Sequence, residues 1–230
     1  MTVRRQLSAL LLVFTLGAGA AAFAGDSVSK VTGSITIAAG EHAGNVATVN
    51  GSIDIGDNAV VEHAHTVNGS IRLGDHASAG EAETVNGSIH LHDGAHVSGQ
   101  LHSVNGSLSL DPGAEVGERL SNVNGSVHVH AAHVGGEIDT VTGSLEIGPD
   151  ARVDGGIHVG RDNSSDSGHR VTPRIVIGPG SVVKGTLKFE RPVELYVSDR
   201  ASIGPVEGAA AIKFSGDHPP VKPPSEDAEK

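Results

Sequence analysis

Val85-Asn86-Gly87-Ser88-Ile89-His90-Leu91 is one copy of a motif that recurs along most of this chain. Related copies open at Val31, Val49, Val67, Val104, Val123 and Val141, in steps of 18, 18, 18, 19, 19 and 18 residues. So short and even a period marks a stacked repeat architecture, and it governs how every other motif is read. Counting from each opening valine, sites 1, 5 and 7 are apolar throughout, as in Val49/Ile53/Ile55 and Val141/Leu145/Ile147. Sites 5 and 7 flank a polar site 6, the alternation of a half-buried strand. A second short strand follows, as in Ala59-Val60-Val61 or Ala114-Glu115-Val116, and a third carries Val46, Ala64, Ala82, Leu101, Leu120 or Ile138.

Three turn zones separate these strands. One is Asn-Gly or Thr-Gly at sites 2 and 3. The next follows site 7, as in Gly56-Asp57-Asn58 and Asp111-Pro112-Gly113. The last holds Gly44, Gly80, Gly99, Gly117 or Gly135. Glycine, asparagine and aspartate supply the positive φ that tight corners use. Three strands and three corners per 18 residues predict an all-β, single-stranded parallel β-helix (a solenoid). Its coils are triangular, with about six residues a side and neighbours about 4.8 Å apart.

Composition agrees. The chain has 230 residues, 32 of them glycine, with five aromatics and no cysteine. A core so poor in large rings must be a thin one of Val, Ile, Leu and Ala, which suits a stack whose storeys cover one another. Without cysteine there are no disulfide staples.

Residues 1–24 read as a secretory signal peptide. Arg4 and Arg5 precede a mostly apolar run from Leu7 to Leu16, and Ala22-Phe23-Ala24 offers small residues for cleavage. The run is short for a membrane span, which takes about 20 residues, and there is no cysteine for a lipid anchor. Export to the periplasm or cell surface is expected, with no stable span after cleavage. Loss of the two arginines moves the formal charge from −11 to −13, which repels nucleic acid and anionic lipid. The 14 histidines would bring it to +1 if all were protonated, a change centred near pH 6.5 for unperturbed imidazole.

Along the chain, residues 25–30 are a polar lead-in, 31–214 the β-helix with a C-terminal cap, and 215–230 a disordered Pro-rich tail. Asn50, Asn68, Asn86, Asn105 and Asn124 recur at site 2, either as a hydrogen-bonded amide ladder or simply because Asn-Gly suits the turn. Ser34, Ser52, Ser70, Ser88, Ser107, Ser126 and Ser144 form a second polar column at site 4. After Val141 the pattern loosens. Residues 153–159 read as a strand, Arg161 to Arg170 as a surface loop, and coils resume at Val171. The last coil runs through Val193–Val197. Phe189, Tyr196 and Phe214 plug that end, whereas the first coil has no comparable lid. An uncovered end exposes unpaired strand edges and favours assembly with another copy.

The runs Val141-Thr-Gly-Ser-Leu-Glu-Ile-Gly-Pro-Asp-Ala-Arg-Val-Asp-Gly-Gly-Ile and Ile177-Gly-Pro-Gly-Ser-Val-Val-Lys-Gly-Thr-Leu resemble the bactofilins, a polymer-forming cytoskeletal family. The Thr-Val-Asn-Gly-Ser-Ile copies also resemble adhesin-like β-strand repeat proteins. The likeness spans roughly residues 31–204. It implies right-handed coils that polymerise end to end without nucleotide. The signal peptide departs from the bactofilins, which act on the cytoplasmic side.

One constellation carries possible chemistry. Site 6 includes His90 and His128, and site 8 includes His92, Asp111 and His130. If both columns face outward, His92, Asp111 and His130 stack on adjacent coils with His90 and His128 beside them. That donor set suits a surface Zn²⁺ or Cu²⁺; the plainer alternative is a His-rich polar face. Asp54 and Arg72 would form an exposed pair worth under about 1 kcal/mol. No His-Asp partner recurs beside the serine column, and no nucleotide motif occurs, so no enzyme activity and no resident cofactor are expected. The sequence therefore points to an exported structural solenoid of the cell envelope that self-associates through coil ends. Its partners would be further copies of itself or cell-wall components. The alternative is an adhesin-like or metal-binding module.

Overall fold

The computed structural model describes residues 25–162 and 172–220. The expected signal peptide, most of the Arg161–Arg170 loop with Val171, and residues 221–230 of the tail lie outside the described residues. Among the described residues there is no helix, and every strand pairing is parallel. The chain is a β-solenoid of about ten turns.

The first side of each coil is the site 5–7 strand. Ten of these form one sheet: Ile35–Ile37, Ile53–Ile55, Ile71–Leu73, Ile89–Leu91, Leu108–Leu110, Val127–Val129, Leu145–Ile147, Arg174–Ile177, Glu194–Ser198 and Ala211–Phe214. Flanking apolar residues point in and the middle one out, so Ile53 and Ile55 are buried while Asp54 is half-exposed. Register is one residue on its coil-equivalent, as in Ile71↔Ile89 and Leu108↔Val127. Val49, Val67 and Val85 lie one over another, between the paired positions Thr48↔Thr66↔Thr84 and Asn50↔Asn68↔Asn86.

The second and third sides belong to a sixteen-stranded sheet that forks. In early coils one strand runs round both sides: His42–Asn50, Val60–Asn68 and Ser78–Asn86. Later the sides separate into pairs such as His96–Val97 with Leu101–Asn105, and Glu115–Val116 with Leu120–Asn124. The cause is one added residue. Two residues join Val61 to Ala64, but Ser98-Gly99-Gln100 joins Val97 to Leu101, which turns a bend into a corner. The 153–159 segment follows suit, with Arg152–Val153 and Ile157–Val159 as two strands rather than one.

The core is a narrow aliphatic shaft that includes an alanine column, Ala59, Ala77, Ala95 and Ala114, all fully buried. The opening valines are not in it. Val49, Val67 and Val85 are half-buried, and Val31 is 71% exposed. The residue before each valine points inward instead: Thr48, Thr66, Thr84, Ser103, Asn122 and Thr140 are all buried. The reason is a carbonyl. At the corners of Gly33, Gly51, Gly69, Gly87 and Gly106 the glycine oxygen needs a donor, and the polar side chain on the following coil supplies it; Thr140 is buried without such a bond. Thr66 Oγ1 donates to Gly51 O at 2.9 Å, Thr84 Oγ1 to Gly69 O at 2.9 Å and Ser103 Oγ to Gly87 O at 3.1 Å. A buried acceptor without a partner is costly, so this pairing outweighs the gain from burying valine.

The asparagines form the ladder. Asn68, Asn86, Asn105 and Asn124 each donate Nδ2 to Oδ1 of the asparagine one coil earlier at 2.9–3.0 Å, and Thr142 Oγ1 donates to Asn124 Oδ1. Beside them serine hydroxyls accept the backbone N–H of the next serine, as in Ser88 N to Ser70 Oγ at 3.3 Å and Ser107 N to Ser88 Oγ at 3.1 Å. Glycine at site 3 is required mainly by space. A Cβ on Gly87 would run into the Gly69 carbonyl oxygen. At this site Gly33 and Gly125 have positive φ and Gly51, Gly69, Gly87 and Gly106 do not; positive φ recurs at the next corner, on Asn58, His76, Gly94, Gly113 and Ala131.

The polar 161–170 excursion leaves the stack unbroken, because Leu145 pairs directly with Ile175. On either side of it, Val159 and Phe189 occupy the polar column, and Phe214 is buried in the last coil. Tyr196 is not part of that plug. It sits in the outward register, buried under the Arg174 guanidinium 4.9 Å from its ring centroid. The lead-in is already a strand, Val28–Thr32, paired to His42–Asn50. Of the tail, residues 215–220 are placed, with Arg200 Nη2 donating to Asp217 at 2.9 Å.

Candidate functional sites: the coil ends and the histidine face

Among the described residues, the terminal strands have a strand neighbour on one side only. At the start these are Val28–Thr32 and Ile35–Ile37; at the finish, Ser202–Ile203, Val206–Glu207 and Ala211–Phe214. Each end also carries a lysine at a core-facing register position. Lys30 pairs with Thr48 and Lys213 with Val197, and both are exposed because no coil lies beyond them. Inward-pointing charge on an outer strand is a standard way to restrain edge pairing. Lys30 Nζ donates to Ser34 O at 2.8 Å, turning its ammonium out of the shaft.

The outer faces are built of histidine–carboxylate contacts between successive coils. His63 faces Glu81 at 3.6 Å, His65 faces Glu83 at 3.5 Å and His128 faces Glu146 at 3.3 Å. A longer file runs His96, Glu115, His133, Asp154, at 3.5, 3.2 and 3.1 Å, and ends on Lys184 Nζ, 3.0 Å from Asp154. The spacing of coils forces such pairing, since equivalent positions lie side by side. It tunes the acids. The hydrogen bond from His65 holds Glu83 below the usual carboxylate range. Hydrogen bonds from Lys184 and then His133 do the same for Asp154, and Lys188 does so for Glu190. Glu81 is pushed up, by burial first and by the Glu83 charge second. Arg72 Nη1 donates to Asp54 at 2.7 Å, the expected exposed pair.

The five residues singled out as possible metal ligands do not all meet. His90, His92 and Asp111 do, with one donor atom from each inside a 4.8 Å span. His128 is turned to Glu146, beside a groove shared with Arg174 and His218, and His130 stands exposed outside the cluster. Sequence reasoning missed the file from His96 to Asp154; its signal was His96, Glu115 and His133 at the first residue of three successive second-side strands.

No protein-family model matches this chain, nor does any curated protein or solved structure. Among the described residues no helix is long and apolar enough to cross a membrane.

Proposed function

We propose that this chain is an exported structural β-solenoid of the cell envelope that associates with further copies of itself through its coil ends. The observation that carries the reading is the pair of ends whose strands, among the described residues, have a partner on one side only. Backbone N–H and C=O groups left on such an edge favour pairing with another strand. The signal-like leader and the bactofilin-like runs support the same reading. Lys30 and Lys213 keep the contact weak and reversible, since stacking a coil over either one removes an ammonium from water. The role is structural rather than catalytic. The recurring serines are engaged as acceptors of backbone N–H groups, which is a scaffold use of the hydroxyl.

The test is size-exclusion chromatography with light scattering on the purified protein, paired with electron microscopy at micromolar concentration. Masses that rise with concentration, and short rods of uniform width, are expected. Strictly monomeric particles across a range of salt and pH would overturn the proposal.

A further inference from the structure

We propose that His90, His92 and Asp111 form a binding site for a divalent transition cation, zinc or copper(II). His90 is the outward residue of Ile89–Leu91, and His92 follows two residues later on the same face. Asp111 is the coil-equivalent of His92, held there by its own N–H donating to Leu91 O at 2.9 Å. The stack therefore brings three donors from two storeys to one spot.

Their geometry converges. Asp111 Oδ2 lies 2.7 Å from His90 Nε2 and 3.4 Å from His92 Nδ1. The two imidazole rings stack with centroids 4.2 Å apart at 30°. Zinc bonds of about 2.0–2.1 Å in a tetrahedron set donors about 3.3 Å apart. The two distances bracket that value, and all three donor atoms lie within 4.8 Å of one another, so side-chain rotation completes the set. Two imidazoles and one carboxylate favour Zn²⁺ or Cu²⁺ over Mg²⁺ or Ca²⁺, which prefer all-oxygen shells.

The surroundings permit a cation. Arg72 precedes His90 in the column, but its guanidinium is bonded to Asp54. Ser109 follows it and is small, leaving room for water or an outside donor. The neighbouring file is arranged differently. His96, Glu115, His133 and Asp154 meet only in sequence, each acid lying between its neighbours, so no point lies close to three donors. Among the described residues, His90, His92 and Asp111 are the one trio of histidine and carboxylate groups that closes around a point.

Isothermal titration of the full-length chain with Zn²⁺ tests the site, with Co²⁺ absorption as a second readout of coordination. One equivalent is expected, with the intense visible bands of a four-coordinate cobalt centre. His92→Ala should abolish both signals. Asp111→Asn, which keeps size and fold, should weaken binding at least tenfold, while His130→Ala should bind as the wild type does. Absence of a saturable equivalent in the wild type would overturn the proposal. So would unchanged binding by His92→Ala and Asp111→Asn, which would move the binding to other histidines.

Discussion

The hydroxyl of Thr84 donates to the carbonyl of Gly69 at 2.9 Å, inside the coil, while Val85 beside it faces outward half-buried. This inverts what hydropathy alone would place in the core. Thr84→Val keeps the shape but removes the donor and leaves the Gly69 oxygen unpaired, a cost of about 1–3 kcal/mol. Val85→Thr changes a half-exposed position and should cost less than about 1 kcal/mol. Urea denaturation of both variants measures the difference, and equal losses would refute the assigned facing.

Lys30 and Lys213 hold the core-facing register positions at the two ends of the shaft. The double variant Lys30→Ile, Lys213→Ile replaces both with side chains matching the columns they terminate. Its light-scattering mass should be several-fold that of the wild type at equal concentration, with longer rods in micrographs. An unchanged mass would show that these lysines do not restrain the ends.

Stability should fall in acid. Glu83, Asp154 and Glu190 have depressed pKa values, so their contribution is present above the unfolded-state values near 4 and is lost as pH falls through the folded ones. Glu81 works in the opposite sense. Its raised pKa gives a contribution that is present in acid and lost as pH rises. Three depressed groups outnumber one raised group, so urea midpoints should drop between about pH 5 and pH 3. Glu81→Gln should be more stable than the wild type at pH 7 and indistinguishable from it at pH 3. A midpoint that rises on acidification would contradict this assignment.

Much of the coil was readable from spacing. The 18-residue step and the alternation at Ile53-Asp54-Ile55 lead directly to parallel sides, because each depends on local pattern, while the run of asparagines leaves a ladder as one of two readings. The inward turn of Thr48 and its equivalents was not readable. Its cause is a glycine carbonyl one storey away, and hydropathy ranks valine above threonine. The 19-residue steps were visible, but the side that absorbs the added residue was not until Ser98-Gly99-Gln100 appeared as a corner. At the histidine face the columns were right and the grouping too generous. Asp111 turns toward His90 and His92, and side-chain direction of that kind has no counterpart in a count of positions.

Leu145 pairs directly with Ile175, so the ladder keeps its register although residues 163–171 are added at the corner between their coils. Growth at that corner is thus uncoupled from the spine. Passenger segments of varied length and chemistry can hang from the flank of such a protein while its girder stays the same, so new capabilities accumulate sideways and not along the axis.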